Sequence, residues 1–284
     1  MTREPFGARL ASMVAKRGPL CVGIDPHPGL LAAWGLSADA AGLERFALDT
    51  VAALGEEIAV LKPQSAFFEA YGSAGIAVLE RVIREANSAG ALILLDVKRG
   101  DIGSTMGAYA AAYLADDAPL AADAITVSPY LGFGSLDPAL ELAAETGRGV
   151  FVLAATSNPE GAEVQRAVGP TGESAAQSVV RQAAERNAGT EPLGSVGVVI
   201  GATLTELELD ISHLNGPILT PGFGAQGGTV ANIRAVFRPS ATGVAPAVLP
   251  SSSRDVLRHG PDLRLLRDAA LRVRDVVKTE LSWV

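Results

Sequence analysis

The sequence predicts a (β/α)8 TIM barrel, an α/β fold, from three observations. Short apolar runs recur eight times, each followed by glycine, proline or a polar residue, and most are apolar throughout, as in parallel strands buried on both faces. Segments of helical length, with apolar residues at three- and four-residue steps, lie between many of the runs. The runs are fairly evenly spaced over 284 residues, which favours a closed barrel over an open doubly wound sheet.

The predicted elements follow this pattern along the whole chain. An N-terminal helix precedes the first strand, and the clearest helical segments are 43–54, 76–89 and 263–281. Residues 158–190 are the largest departure from even spacing, and we expect an extended loop and a helix there, after strand five. Glycine and proline punctuate the strand ends without forming a linker, so we expect one domain over residues 1–284. The predicted strands are 20–25, 58–62, 91–98, 124–128, 149–155, 196–201, 218–221 and 245–250.

Composition excludes several classes of protein. Hydrophobic residues make up 48% of the chain, enough for a large core, so wholesale disorder is excluded. A net charge of −8, from 23 basic and 31 acidic residues, argues against nucleic acid or an anionic membrane as a partner. The one cysteine, Cys21, excludes an intrachain disulfide and a multi-cysteine zinc site. No apolar run approaches the ~20 residues of a membrane-spanning helix, and no secretory signal is evident, so we expect a cytoplasmic protein.

The end of the third predicted strand carries an unusual pair of charges. Asp96 and Lys98 close an apolar run, and Asp101 follows on the loop. Side chains alternate along a strand, so Asp96 and Lys98 are expected on the same face. Charges on an interior face are costly unless they pair with each other or serve a site. In a barrel this position is the C-terminal mouth, where active sites lie.

Two neighbouring strands end in the same way. The first predicted strand ends at Asp25 and the second at Lys62. Together with Asp96 and Lys98, these residues would form a network of alternating charge at one rim. A buried ion pair with a purely structural role is the alternative, but clustered ionisable groups of this kind favour catalysis.

A glycine-rich segment follows the seventh predicted strand. Gly222, Gly224 and Gly227 match the dinucleotide-binding pattern G-x-G-x-x-G, which also requires an acidic residue ~20 positions later. Residues 211–254 contain no Asp or Glu but include Arg234, Arg238 and Arg254, so a phosphate anion is the better ligand for this segment. The three histidines have no metal-ligand spacing, and we expect no metal.

These motifs resemble those of one enzyme family. Residues 96–105, DVKRGDIGST, are similar to the D-x-K-x-x-D-I-x-x-T signature of the orotidine 5′-monophosphate decarboxylases, in the K-R-G-D-I-G form of the longer bacterial subgroup. The resemblance extends to the segments 23–26, 61–64, 156–159 and 221–228. It implies a homodimeric barrel that converts orotidine monophosphate to uridine monophosphate (UMP) and CO2 without a cofactor.

The resemblance also implies a role for individual residues. Lys98 would protonate C6 of the pyrimidine, Asp96 would face the substrate carboxylate, and Lys62 would link Asp96 to the ribose side of the network. Asp101 and Thr105 would reach into the partner subunit's site. The remaining substrate contacts would be Asp25 to a ribose hydroxyl, Ser157 to the pyrimidine amide edge, and Gln226, Gly227 and Arg254 around the phosphate. In shorter family members this arginine follows a glycine at strand eight, whereas here it follows Ser251–Ser253.

Three other functions fit parts of the same pattern. A related barrel uses D-x-K-x-x-D on a sugar phosphate with a divalent metal. A Schiff-base aldolase would use Lys62 or Lys98 as its nucleophile. A barrel that binds nucleotides without turnover is the non-enzymatic alternative.

Overall fold

Eight parallel strands close into one barrel, and strands that are consecutive in sequence are neighbours in space. The computed structural model describes residues 3–204, 208–224, 227–237 and 247–281. The last strand returns to pair with the first through Cys21–Ser251 and Val22–Ser252, which leaves no open sheet edge in the barrel. The strands are β1 (Cys21–Ile24), β2 (Val60–Pro63), β3 (Leu92–Arg99), β4 (Ala124–Val127), β5 (Gly149–Ala155), β6 (Val196–Ile200), β7 (Pro217–Pro221) and β8 (Ala247–Ser252).

All eight predicted strands are present, and their ends agree with the prediction to within two residues. Residues 245 and 246, the first two of the eighth predicted strand, lie outside the described residues. The (β/α)8 barrel is therefore confirmed. Near-continuous apolar runs predicted the strand positions correctly because each strand is covered by side chains inside the barrel and by helices outside it.

Helices cover the outside of the barrel. The three helical segments predicted by periodicity are present as helices at Ala40–Leu54, Gly72–Ser88 and Leu263–Glu280, and their C-terminal ends agree with the prediction to within one residue. No described helix is long and apolar enough to cross a membrane. The helices are α1 (Phe6–Arg17), α2 (Pro28–Ala33), α3 (Ala40–Leu54), α4 (Ser65–Glu69), α5 (Gly72–Ser88), α6 (Gly103–Leu114), α7 (Asp137–Glu145), α8 (Gly161–Gln165), α9 (Ala175–Asn187), α10 (Val230–Val236), α11 (Arg254–Leu257) and α12 (Leu263–Glu280), with a 3-10 turn at Phe133–Leu136.

The first helix packs on the N-terminal end of the barrel. Phe6 and Leu10 of α1 are almost fully buried and belong to a cluster with the interior strand residues at this N-terminal end, which we call the lower layer. A Cβ at Gly149 would lie only 2.3 Å from the Phe6 ring, so the strand needs glycine where this ring enters. The helix thus closes one end of the barrel, and access to the interior is from the opposite, C-terminal end.

Interior side chains change character along the barrel axis. The lower layer is apolar and includes Leu94, Ala124, Phe151 and Leu249. Two residues further along β3, β4 and β8, the same interior face carries Asp96, Thr126 and Ser251, all at the cavity described below. The two-residue period of a strand therefore places polar groups directly above an apolar floor.

Candidate active site

A cavity of about 350 Å³ occupies the C-terminal mouth of the barrel. This is the end at which (β/α)8 enzymes carry their active sites. Its volume is within the range of small-molecule sites. The residues that line it come from all eight strands or the loops after them, and they include Asp25, Lys62, Gln64, Asp96, Lys98, Thr126, Leu153, Ser157, Val199, Pro221, Gly222, Ser251, Ser253 and Arg254.

Asp96 connects two lysines at the centre of this cavity. Lys62 Nζ lies 2.8 Å from Asp96 Oδ2, and Lys98 Nζ lies 2.5 Å from Asp96 Oδ1. The side chains of Lys62 and Asp96 are each 7% exposed, whereas that of Lys98 is 46% exposed. We call these three residues the Lys62–Asp96–Lys98 network. Its buried end is an ion pair in the barrel wall, and its open end presents an ammonium group to the cavity.

Mutual charge stabilises the ionised forms of the buried pair. Burial by itself would raise the pKa of the Asp96 carboxyl, but the charges of Lys62 and Lys98 and their hydrogen bonds hold this pKa well below its usual range. Burial would likewise lower the pKa of Lys62, but the charges of Asp96 and Asp25 raise it above its usual value. Both groups are therefore ionised at neutral pH. Nearby, burial raises the pKa of the Cys21 thiol to about 12, so this cysteine is a neutral wall residue.

A bulge at the end of β3 delivers Lys98 to the network. Leu95 pairs with Ile125 and Arg99 pairs with Val127, so three residues of β3 face one residue of β4. Lys98 has a φ of +46°, in the left-handed region that L-residues disfavour. Asp96 and Lys98 meet as predicted, but the bulge, rather than simple alternation, brings the two side chains together.

Asp25 lies at the same cavity without joining the ion pairs. Its Oδ1 is buried and has no hydrogen-bond partner among residues of the described ranges. The Ser253 hydroxyl is also buried at the cavity without such a partner there. A buried acceptor and a buried hydroxyl with unused capacity are suited to a polar ligand, because leaving them unpaired is costly.

Ser157 reaches the cavity from the loop after β5. The side chain of Gln165 in α8 fixes this loop at Thr156, because Gln165 Oε1 accepts from Thr156 N at 2.9 Å and Gln165 Nε2 donates to Thr156 Oγ1 at 2.7 Å. The loop also passes close to the end of β6, where a Cβ at Gly201 would lie 3.0 Å from Ser157 Cβ. Ser157 is therefore held at the rim by contacts on both sides.

The glycine-rich loop after β7 depends on its glycines for its shape. Gly222, Gly224 and Gly227 all have φ between 84° and 94°, which a side chain would disfavour. A Cβ at Gly224 would lie 2.0 Å from Asp255 Oδ2. The loop therefore packs against Asp255, the first acidic residue after the acid-free segment 211–254. A negative charge thus lies next to this loop, although the sequence around the loop contains no acidic residue.

The arginines near this loop differ in position. Arg254 lines the cavity, whereas Arg234 pairs with Glu280 at 3.2 Å. Gln226 and Arg238 lie outside the described residues. Of the two arginines of the acid-free segment that the structure describes, Arg254 lies at the cavity and Arg234 does not.

Three predicted site residues do not line the cavity of their own chain. Asp101 and Thr105 lie on the loop after β3 and at the start of α6, and Asp101 Oδ1 accepts from the neighbouring Ile102 N–H at 2.8 Å. Gly227 is exposed on the loop after β7. The resemblance assigns Asp101 and Thr105 to the site of a partner subunit, and their position outside this cavity is compatible with that assignment.

Sequence reasoning missed Thr126, which is 1% exposed and donates to Asp96 Oδ1 at 2.8 Å. The available signal was a hydroxyl two residues after Ala124 on a buried strand, but threonine is so common in strands that this signal is weak. It also missed Gln64, whose Oε1 lies 3.4 Å from Lys62 Nζ. Within the described part of the chain, no group of three or more His, Cys, Asp and Glu side chains is arranged to hold a metal ion.

Comparisons with known proteins agree in pointing to one family. The model of the orotidine 5′-phosphate decarboxylase / HUMPS family matches residues 18–268. An orotidine 5′-phosphate decarboxylase from Salinispora arenicola is 60% identical over 270 residues, which are 95% of this chain and 96% of the relative. The enzyme of the same name from Streptomyces coelicolor is 57% identical over 279 residues, 98% and 99% of the two chains.

Solved structures show the same similarity in three dimensions. A crystal structure of a protein from Streptomyces avermitilis is 58% identical, covers 99% of this chain and 98% of its own, and superposes with a TM-score of 0.95. The OMP decarboxylase of Leishmania donovani is 31% identical, with coverage of 99% and 100% and a TM-score of 0.75. Sequence and fold are therefore shared over nearly the full length of these chains.

Proposed function

The chain belongs to the orotidine 5′-phosphate decarboxylase / HUMPS family, and on that premise we propose that Lys98 is the proton donor in its reaction. It is an enzyme that decarboxylates orotidine 5′-monophosphate to UMP and CO2 in pyrimidine nucleotide synthesis. The observation that carries the proposed mechanism is the position of Asp96 between Lys62 and Lys98 at the barrel mouth.

Lys98 supplies what the chemistry requires. Loss of CO2 leaves a carbanion at C6 whose electron pair lies in the plane of the ring, where the π system cannot delocalise it. An ammonium beside this carbon stabilises the developing charge and then delivers a proton to it. Lys98 fits this role because its Nζ is accessible from the cavity while Asp96 holds it in place.

Asp96 has two roles in this scheme. It orients Lys98, and it lies beside the carboxylate of the bound substrate. Repulsion between the two carboxylates destabilises the bound substrate and is relieved as CO2 departs. The pairing with Lys62 keeps Asp96 ionised in a buried position, so that repulsion is available at neutral pH. Lys62 in turn stands between Asp96 and the ribose side of the cavity.

Polar side chains at the cavity can contact the ribose and the pyrimidine of the nucleotide. The unpaired Asp25 Oδ1 can accept a hydrogen bond from a ribose hydroxyl. Ser157, anchored through Thr156 and Gln165, can contact the pyrimidine amide edge. Both assignments rest on the resemblance, and the cavity geometry supports them.

The phosphate belongs at the loops after β7 and β8. Arg254 lines the cavity at the start of α11, and Gln226 and Gly227 belong in sequence to the glycine-rich segment that follows β7. These are the loops that commonly bind phosphate in (β/α)8 barrels. Binding energy gained at the phosphate can be used to stabilise the transition state at the distant C6.

We further propose that the enzyme is a homodimer with shared active sites. Asp101 and Thr105 lie outside their own cavity, next to the exposed apolar side chain of Ile102. Tyr130 and Leu131 are also exposed, at 79% and 51%, on the loop that packs against Gly100. An isologous contact through this apolar surface would bury it and bring Asp101 to the partner's site. A cytoplasmic location is part of this proposal, because substrate and product are intracellular nucleotides.

The function is tested by following the absorbance of orotidine monophosphate during incubation with the purified protein and EDTA. We expect the absorbance to fall and UMP and CO2 to form in equal amounts, with no effect of the chelator. Dependence on added divalent metal would favour the related sugar-phosphate chemistry. Borohydride inactivation that requires substrate would favour a Schiff-base aldolase, and binding of UMP without turnover would favour a barrel that only binds nucleotides.

A further inference from the structure

We propose that Thr126 is a positioning residue for this reaction, because its hydroxyl ties the backbone of Lys98 to the Asp96 carboxylate. The inference rests on the proposed role of Lys98 and adds to it a residue of β4 to which we assign no contact with the reacting carbon or the phosphate. Its effect is to fix where the Lys98 ammonium lies.

The hydrogen bonds of Thr126 have only one possible direction. Lys98 N lies 3.0 Å from Thr126 Oγ1, and a backbone N–H can only donate, so the hydroxyl oxygen is the acceptor. The single hydroxyl proton then points to Asp96 Oδ1, at 2.8 Å. Thr126 is 1% exposed, so bulk water does not compete for either bond.

Thr126 also stands opposite the bulge. Its neighbours Ile125 and Val127 pair with Leu95 and Arg99. Thr126 is therefore the single residue of β4 opposite the three bulged residues 96–98 of β3. Lys98 is held there in a left-handed conformation that an L-residue does not prefer. Ser128, two residues further along, donates from its Oγ to Lys98 O at 3.2 Å and from its N to Arg99 O at 2.8 Å. Residues of β4 and its following loop thus hold Lys98 at both its N–H and its carbonyl.

The same carboxylate oxygen receives both the ammonium and the hydroxyl. Asp96 Oδ1 accepts from Lys98 Nζ and from Thr126 Oγ1, while Oδ2 accepts from Lys62. Lys98 is consequently fixed at two points, its backbone N–H and its Nζ, and Thr126 connects them. Without the hydroxyl, the bulge loses its acceptor and Asp96 loses one of its three donors. Displacements of about 1 Å at a reacting group can cost about 100-fold in rate.

The test compares substitutions that keep or remove the hydroxyl. Thr126→Val preserves the shape of the side chain and removes both hydrogen bonds, whereas Thr126→Ser keeps the hydroxyl. Thr50→Val is the matched control, because Thr50 is also fully buried and its hydroxyl donates to Phe46 O at 2.8 Å within α3, away from the cavity. The readouts are kcat and KM for orotidine monophosphate, Kd for UMP and the melting temperature.

We expect Thr126→Val to lower kcat by about 10- to 100-fold, the range for loss of a hydrogen bond to a charged group. KM and the Kd of UMP should stay within about threefold of wild type, because Thr126 is assigned no substrate contact. Thr126→Ser should retain kcat to within about threefold, and Thr50→Val should leave it unchanged. If Thr126→Val does not fold, Thr126→Ala serves instead, with the same expected loss of kcat.

Three results would overturn the assignment of Thr126. They are a kcat within about threefold of wild type in folded Thr126→Val, an equal loss in the Ser and Val variants, and a parallel loss of UMP affinity that marks a general structural role. Each of these presupposes an active wild type, so they leave the proposed function intact. A wild-type protein that fails to decarboxylate orotidine monophosphate would overturn the proposed function and this inference together.

Discussion

Lys62 Nζ lies 2.8 Å from Asp96 Oδ2, and both side chains are only 7% exposed. Each charge is therefore desolvated and compensated chiefly by the other, with Lys98 as a second, more exposed partner of Asp96. In such a pair, removal of one partner costs more than the pair itself contributes, because it leaves a buried charge. This relationship distinguishes Lys62, the buried partner that keeps Asp96 ionised, from Lys98, the proposed proton donor.

Replacement of Lys62 should destabilise the fold. We expect Lys62→Met to lower the free energy of unfolding by about 3–5 kcal/mol, because Asp96 loses its buried partner. This corresponds to a fall in Tm of about 6 °C or more, measurable by calorimetry. Arg45→Met is the control, since the Arg45 side chain is 71% exposed in its pair with Asp49, where water screens the charge, and its loss should leave Tm nearly unchanged. Equal, small effects of both substitutions would show that the buried pair carries no special stability.

Replacement of Lys98 should separate activity from folding. We expect Lys98→Ala to abolish decarboxylation, because it removes the proton donor, while Tm stays within about 3 °C of wild type because this side chain is 46% exposed. Turnover is measured by loss of orotidine monophosphate, and folding by circular dichroism and UMP binding. Wild-type turnover in the well-folded variant would refute the assignment.

The contribution of Asp96 to stability should disappear in acid. The pKa of Asp96 in the fold is lower than its unfolded value of about 3.9, so its stabilising contribution is complete above that value and is lost as the pH falls below about 4. The pKa of Lys62 is raised, so its contribution persists until the pH exceeds about 10.4. We expect Asp96→Asn to melt well below wild type at pH 7 and the difference to shrink between about pH 4 and pH 2. A difference in Tm that stays constant over this acidic interval would contradict the prediction.

Arg254 should act on the phosphate alone. We expect Arg254→Ala to weaken binding of UMP by about 1.5–3 kcal/mol, the value of a charge-assisted contact, and to change binding of uridine little. Gln226→Ala should show the same selectivity. Arg258→Ala is the control, because Arg258 is 66% exposed, pairs with Asp255 and does not line the cavity. Equal losses for nucleotide and nucleoside in titration calorimetry would place the phosphate elsewhere.

Asp101 should complete the neighbouring site of a dimer. Mixing inactive Lys98→Ala and Asp101→Ala proteins under conditions of subunit exchange gives mixed dimers in which one site carries both defects and the other carries neither. Random mixing makes half of the dimers mixed, so about a quarter of wild-type activity should return. Native mass spectrometry verifies exchange. If mixed dimers form and activity stays absent, Asp101 serves its own subunit.

Most of the architecture could be read from periodicity. Strands buried on both faces are near-continuous apolar runs, and their positions follow from that requirement alone. The rim charges could be read in the same way, because Asp25, Lys62 and Asp96 each follow an apolar run, and all three line the cavity. A buried charge is unfavourable unless it is paired, so its position in the sequence indicates a site even when its partner is unknown.

Local sequence patterns therefore specify the barrel, the end of the barrel that carries the charges, and the types of residue gathered there. The way in which Lys98 reaches Asp96 is visible in the folded chain alone, because the left-handed conformation and the bulge depend on pairing and hydrogen bonds with β4, a separate strand. The same holds for the hydrogen bond from Thr126 to Asp96 and for the packing of Asp255 on the glycine-rich loop. Periodicity assigns a residue to a face, whereas contacts between distant segments depend on register and on the closure of the barrel, which no local pattern encodes.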